Sequence, residues 1–475
     1  MIAMPSMHDN SSILSPGQPV LRYDQGVIAL EGYPGDPGRK MGIKWKHRPE
    51  TNHWVAYASE YRKVNIEGLN DQVPAWQQLE PLGEAFLHIP RGAQTEAISA
   101  WKAAKAGMVW MPTGTGKTEV ALHIIRDMGV SALIVAPTRD MMYQWQRRIE
   151  TGLGYQSGLI GDQYHTVKPI SVATYHSACI HMPRLGNRFQ LIVFDEVHHL
   201  PGPVRGDASR MCAAPMRLGL TATPPEGSRL IDLIELAGPA LFQQQIHEAT
   251  GDSLAEYQIV KCPVEMTGEE REKYDELGKI VSDFFADKRK NGSPTYSTQD
   301  LGADAARNRK AKQVLRAYHR RRSMEARAAS KLEVLEDLFL LHPTEPTIIW
   351  TANNLTAREI SKQFLIPCIL SHCARDERRW ILDGFEAGKF KAIVTCELLT
   401  EGVDVPKAKV GISLGGDSSQ RKSIQRLGRI LRKTGGAHAI YYDVFCSNSS
   451  DETRAKARRP KFGETVAKAS GELLC

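Results

Sequence analysis

Met108-Val109-Trp110-Met111-Pro112-Thr113-Gly114-Thr115-Gly116-Lys117-Thr118 is an apolar run that breaks into a glycine-rich turn and closes on Gly-Lys-Thr. It reads as a strand, a loop and a helix start, because Val120, Ala121, Ile124 and Ile125 follow at the spacing of one helical face. The amide groups of the turn and of the first helical turn then point at one spot, which favours anions. Gly114, Thr115 and Gly116 form the cradle, Lys117 adds a charge suited to β- and γ-phosphates, and Thr118 offers a hydroxyl to a magnesium ion. The expected ligands are a nucleotide and Mg2+. The strict phosphate-loop pattern has a glycine where Met111 stands, so a chance Gly/Thr turn between strand and helix is the alternative.

Working outward, apolar runs at residues 132–136, 170–174 and 191–194 alternate with helical patterns, as in a parallel doubly wound sheet. Each run ends in residues that can touch a ligand, at the strand ends where such folds bind. The ends are Pro137-Thr138-Arg139, Thr174-Tyr175 and Asp195-Glu196-Val197-His198. The third is the partner of the phosphate loop: Asp195 is suited to hold magnesium and Glu196 to polarise an attacking water. His198 is expected to couple this site to a neighbouring segment. Thr221-Ala222-Thr223-Pro224 forms another strand end, or else a simple Thr-rich turn.

The 475 residues suffice for three or four folding units. With 42% hydrophobic and 24% charged residues this is the composition of an ordinary globular chain, which excludes a small disulfide scaffold. Sixty-one basic against 54 acidic residues leave a mild positive balance, compatible with a polyanionic partner. Eight cysteines without a C-x-x-C pair point to a reduced chain, cytoplasmic or nucleoid-associated. No apolar run of eighteen residues and no signal-peptide layout occurs, so no membrane partner is expected.

Residues 1–80 are read as a small β-rich accessory domain, where Lys44, Lys46 and Arg48 would share one strand face, either towards phosphates or merely solvated. Residues 81–245 form the first α/β lobe, and Arg91 and Gln94 stand just ahead of its phosphate-loop strand. Residues 246–329 break the alternation as a helical insertion, with a helix over 269–290, a loop over 291–302 and a second helix from about Ala303. Within 307–322 lie Arg307, Arg309, Lys310, Lys312, Arg316, Arg320, Arg321 and Arg322 without one acidic residue, a surface suited to phosphates or a solvated face. Residues 330–450 restore the α/β rhythm without a second phosphate loop, and 451–475 read as a basic tail. A helix through Gln425, Arg429 and Arg432 would place the three on one face at i, i+4 and i+7, where two guanidiniums suit a γ-phosphate.

The fold class is therefore α/β, and the motifs resemble superfamily 2 helicases, more narrowly the XPB DNA-repair helicases of archaeal type. The likeness is carried by Pro112 to Thr118, Asp195 to His198, Phe364 to Arg378, Glu401-Gly402-Val403-Asp404-Val405-Pro406 and Ile424 to Arg432. It implies two RecA-like parallel-sheet lobes, a helical thumb-like insertion and an N-terminal damage-recognition-like domain. It further implies an ATP-dependent DNA helicase or translocase on duplex or forked DNA, with 3′ to 5′ polarity and a role in repair.

By this resemblance Lys117, Thr118 and Asp195 bind phosphate and magnesium, and Glu196 positions water. Arg429 and Arg432 contact the γ-phosphate, Gln425 and Asp404 couple the lobes, and Gln94 with Arg91 reads adenine. Arg139 and Thr174, and the insertion's Arg309, Lys312, Arg316 and Arg320, face nucleic acid. A monomer and a nuclease partner are also implied. One element departs: the Arg-Glu-Asp tripeptide usual in XPB proteins after Thr-Ala-Thr is absent from Thr223 to Arg229, which favours translocation over strand separation. A restriction-type duplex translocase, an RNA helicase and a non-catalytic ATP-gated scaffold are the other readings.

Overall fold

The computed structural model describes residues 18–38, 42–250, 254–370, 372–396, 408–416, 418–431, 438–459 and 467–468. The chain divides into two compact units, residues 1–110 with 116–243, and residues 111–115 with 244–475.

The first unit contains two sheets. Near the N-terminus five short strands run in the order Lys46–Arg48, His53–Tyr57, Val27–Glu31, Val20–Asp24, Asn70–Gln72. The first four pair antiparallel, and Leu21, Ile28, Leu30, Ile43, Ala56 and Val73 bury one face. The basic face is partly neutralised, since Arg22 pairs with Glu31 and Arg48 lies 3.8 Å from Asp24. This module is fastened to the α/β lobe: the Tyr23 hydroxyl donates towards the Met182 carbonyl (2.6 Å), and the Ala75 and Gln77 amides bond the carbonyls of Asn187 and Arg188.

The lobe itself is an eight-stranded sheet in the order Ala240–Gln243, Ala106–Trp110, Met216–Thr221, Leu191–Phe194, Ala132–Ala136, Ile170–Thr174, Gly158–Gly161, Tyr164–His165. Only the last pair is antiparallel. Strands such as Ala132–Ala136 are buried at every position, as a sheet covered on both faces requires. Helices start and stop on local signals: Thr138 accepts from the Met141 amide to cap Arg139–Leu153, and Gly154 ends it in a left-handed conformation.

The second unit holds a seven-stranded parallel sheet, Cys368–Ile369, Ala392–Thr395, Thr347–Trp350, Val410–Ser413, Ala439–Cys446, Tyr257–Val264, Ala467–Lys468. Two departures from the sequence reading follow. Residues 246–329 are not a helical insertion throughout: Tyr257–Val264 is a sheet strand that pairs along its whole length with Ala439–Cys446. Apart from the single turn Ile246–Ala249, the helices begin at Gly268–Lys290, and the expected loop 291–302 contains most of a further helix, Thr298–Ala305, capped by Ser297. With Arg309–Ala326 they enclose a small core of Phe284, Tyr296, Leu301, Ala311 and Val314.

The first residues of the expected basic tail, 451–459, are packed onto the second unit. The helix Ser450–Arg458 sends Arg458 into a buried pair with Asp443 (2.6 Å) and Arg454 onto buried Glu325. Lys331, equally buried, donates to Asp451 (2.6 Å) and to the Leu414 carbonyl. Glu325 also accepts from Tyr274 (2.6 Å), so one ionic network joins the insertion helices to the sheet. Isolated charges could not be held at that depth, and mutual pairing is what makes it tolerable.

Candidate ATPase site

Three neighbouring strands build the site at their C-terminal ends. Ala106–Trp110 leads into the glycine-rich turn, Met216–Thr221 lies beside it, and Leu191–Phe194 comes next. At about 4.8 Å per strand, the helix start at Lys117 and the carboxylates after Phe194 are on the order of 10 Å apart laterally, room for a phosphate and a cation. Gly114 and Gly116 take φ of +92° and +86°, a region side chains rarely enter. At Gly116 a Cβ would also fall 2.4 Å from Gln94 Nε2. Met111 is fully packed, and buried Thr115 donates to the Pro112 carbonyl (2.8 Å), closing the turn on itself. Lys117 opens the helix Lys117–Met128, so its amide and that of Thr118 point out of the helix N-terminus.

Asp195 and Glu196 sit side by side, and both are buried. Asp195 Oδ1 accepts from the Glu196 amide (3.0 Å), and Oδ2 accepts from the Trp145 indole N–H (2.7 Å). Burial, then the neighbouring Glu196 charge, raises the Asp195 pKa, while Trp145 and Lys117 oppose the rise. A divalent cation would reverse that balance. Glu196 takes a left-handed φ of +45°, which turns its side chain out of the strand direction. Its Oε2 is buried, makes no hydrogen bond among the described residues and lies 3.4 Å from His198 Nδ1. A carboxylate pair, one oxygen without a hydrogen bond and a cationic lysine fit a magnesium ion and a water between them. His198 Nδ1 also lies 3.0 Å from Thr221 Oγ1, which in turn accepts from the Thr223 amide.

Gln94 caps its own helix Gly92–Ala104, accepting from the Arg91 amide (2.9 Å) while its NH2 lies 3.5 Å from the Gly116 carbonyl. The side chain is thereby fixed against the phosphate turn. Arg139 pairs with Asp162 (2.8 Å), and Thr174 caps Tyr175–Leu185 through the Ser177 amide. Both line a cavity of about 570 Å³ with Thr138, Ser177 and Arg205.

In the second unit, Gln425 and Arg429 are buried on the helix Gln420–Ile430. That helix stops before position 432: Arg432 and Asp404 lie outside the described residues. Arg309, Lys312, Arg316 and Arg320 are exposed on Arg309–Ala326, opposite its buried Ala311, Val314 and Ala317. Arg321 is excluded from that stripe, since it stacks on the Tyr274 ring at 4.1 Å.

Sequence reasoning missed Trp145, and it named Tyr175 only as part of a strand end without placing it on Asp195, whose carbonyl accepts from the Tyr175 hydroxyl (3.1 Å). The available signal was the stripe Met142, Trp145, Ile149, Leu153: an indole buried at helical spacing still needs an acceptor.

Paired parallel-sheet lobes, one of them with a phosphate loop and an Asp-Glu strand end, define a helicase-type ATPase. Residues 87–226 match the family described as Type III restriction enzyme, res subunit, and residues 330–434 the Helicase conserved C-terminal domain. The chain is 35% identical over 92% of its length to the DNA 3'-5' translocase XPB2 of Sulfurisphaera tokodaii, covering 99% of that protein. It is 27% identical over 78% of its length to the DNA 3'-5' helicase XPB of Mycobacterium tuberculosis, of which it spans 63%. The Hef helicase domain of Pyrococcus furiosus superposes with a TM-score of 0.55 at 18% identity, over 78% of this chain and 98% of that one, a likeness of fold. The chain belongs to the XPB family of superfamily 2 helicases.

Proposed function

We propose that this protein is an ATP-driven translocase on duplex or forked DNA, moving 3′ to 5′, with a role in DNA repair. The observation that carries the reading is the Asp195-Glu196 strand end, two strands from the Lys117 turn and bonded through His198 to Thr221. Family membership supports DNA as the track and the polarity. The insertion's exposed arginines support a phosphate partner.

In this reading Lys117 neutralises the phosphates, the Thr118 hydroxyl and the Asp195 carboxylate hold the cation, and Gln94 with Arg91 binds the adenine. Bound Mg2+ and ATP supply a divalent charge and a transferable γ-phosphoryl group. Glu196 orients the attacking water and takes its proton. His198 passes the state of Glu196 to Thr221 and Thr223. Arg429 and Arg432 neutralise charge developing on the γ-phosphate, and Gln425 and Asp404 couple hydrolysis to the two lobes. Arg139 and Thr174 on the first unit and Arg309, Lys312, Arg316 and Arg320 on the second bind the DNA backbone. The protein works as a monomer in the cytoplasm or on the nucleoid; no described helix is long and apolar enough to cross a membrane.

The test is ATP-driven displacement of a third strand from a DNA triplex, measured across a salt series. Wild type displaces the strand, while Arg316→Ala combined with Arg320→Ala does so only at lower salt. Each lost phosphate contact removes about 0.9 from the slope of log affinity against log salt, so the double variant's slope is shallower by about 2. An unchanged slope contradicts the assignment of this stripe, and failure of wild type to displace the strand contradicts translocation.

A further inference from the structure

The helix Arg139–Leu153 is gripped by a carboxylate at each side. In its first turns Arg139 Nη1 and the Tyr143 hydroxyl both reach Asp162, at 2.8 Å each, on the tip of the hairpin Gly158–Gly161/Tyr164–His165. Asp162 and Gln163 turn that tip with φ of +50° and +70°. Six residues after Arg139 on the same helix, Trp145 donates its indole N–H to Asp195 Oδ2 at 2.7 Å. Trp145 is only 2% exposed, and Asp195 is 6% exposed.

Among the described residues two hydrogen bonds fix the Asp195 carboxylate. Oδ1 is held by the Glu196 amide, which belongs to the same strand end and moves with it. Oδ2 is held by a side chain from a different element, 50 residues earlier in the chain. The indole N–H has one donor and no acceptor role, so its hydrogen bond fixes the direction of one oxygen and leaves that oxygen's second lone pair for another ligand. Removing the donor leaves a buried oxygen without its partner and lets the carboxylate turn about its last torsion.

We propose that Trp145 is a positioning residue of the ATPase: it holds the Asp195 carboxylate in the rotamer that takes Mg2+, and it ties that rotamer to the seat of the helix Arg139–Leu153. The proposal rests on the ATPase reading above. The same helix contributes Thr138 and Arg139 to the wall of the 570 Å³ cavity, so an anion that draws Arg139 from Asp162 acts on the element that sets the metal ligand. Partners of this kind, one bond behind a metal ligand, typically change metal affinity by about 10- to 100-fold when removed.

Trp145→Phe keeps the buried ring and deletes the donor. Trp101→Phe is its control, because Trp101 is also buried and donates its indole N–H to a carbonyl, that of Arg217 (2.8 Å), away from the site. In the full chain, MgCl2 is titrated at saturating ADP while tryptophan emission is followed, and the Mg2+ dependence of ATP hydrolysis is measured in parallel. The expected result is that Trp145→Phe raises the Mg2+ midpoint about tenfold or more and lowers kcat, leaving KM for ATP within about twofold, and loses the Mg2+-dependent emission change. Trp101→Phe keeps the wild-type midpoint and the emission change.

The proposal is overturned if Trp145→Phe keeps the wild-type midpoint, or if Trp101→Phe shifts it as far. Should Trp145→Phe not fold, the unsubstituted chain decides: the Trp145 indole N–H resonance moves as MgCl2 is added, and a resonance that stays still overturns the proposal. Absence of any Mg2+-dependent hydrolysis in wild type contradicts the ATPase reading itself rather than this one.

Discussion

Glu196→Gln is expected to lower the ATPase kcat by about 10²- to 10⁴-fold, the usual range for loss of a general base, while nucleotide still binds. The substitution keeps the side chain's size and the left-handed backbone at that position, so the turn built on φ of +45° survives. What it removes is the ability to take a proton. Glu196 Oε2 is buried and 3.4 Å from His198, with no alternative carboxylate at the strand end except Asp195, which is already engaged by the Trp145 indole and the Glu196 amide. Single-turnover hydrolysis at saturating DNA, compared with equilibrium binding of a fluorescent ATP analogue, separates the two steps. A variant retaining kcat within fivefold of wild type would remove Glu196 from the chemistry.

The second large effect concerns stability. Lys331→Met is expected to destabilise the second unit by about 3 kcal/mol, because it leaves Asp451 short of its closest cation in a buried network. Arg454 and Arg458, 3.5 and 3.6 Å from Asp451, keep the loss towards the lower end of the range for broken buried pairs. In wild type, burial pushes the Asp451 pKa up, but Lys331, Arg458 and Arg454 outweigh it and hold it below the ordinary carboxylate range. A depressed folded-state pKa contributes stability that is present above the unfolded value and is lost as pH falls through the folded one. With Lys331 gone, burial weighs more heavily and the penalty for ionised Asp451 grows as pH rises. The variant's deficit in thermal midpoint should therefore be larger at pH 7 than at pH 4. Equal deficits at both would assign the effect to lost packing.

The parts of this molecule that sequence reading reached are those carried by local pattern. The turn Gly114 to Thr118, the strands behind Asp195 and Thr174, and the two-lobe architecture each follow from apolar runs ending in residues with distinctive backbone or ligand chemistry. The parts it missed are set by pairing across the chain. Tyr257–Val264 alternates only weakly in burial and carries Pro263, so nothing local marks it as a sheet strand. Its partner Ala439–Cys446 does that. Arg454 and Arg458 read only as part of a basic tail because their counterions, Glu325 and Asp443, are on other elements. Trp145 drew no reading because its acceptor, Asp195, lies on another element. Charge and aromatic side chains announce that a partner is required without saying where it is.

The most direct test of the central claim is steady-state ATP hydrolysis with Mg2+, measured without nucleic acid and with duplex DNA, single-stranded DNA and RNA, in wild type and Lys117→Ala. An ATP-driven DNA translocase gives hydrolysis stimulated by DNA, weakly or not at all by RNA, and abolished by Lys117→Ala. Hydrolysis indifferent to DNA, stimulation by RNA alone, or turnover unaffected by Lys117→Ala would contradict it.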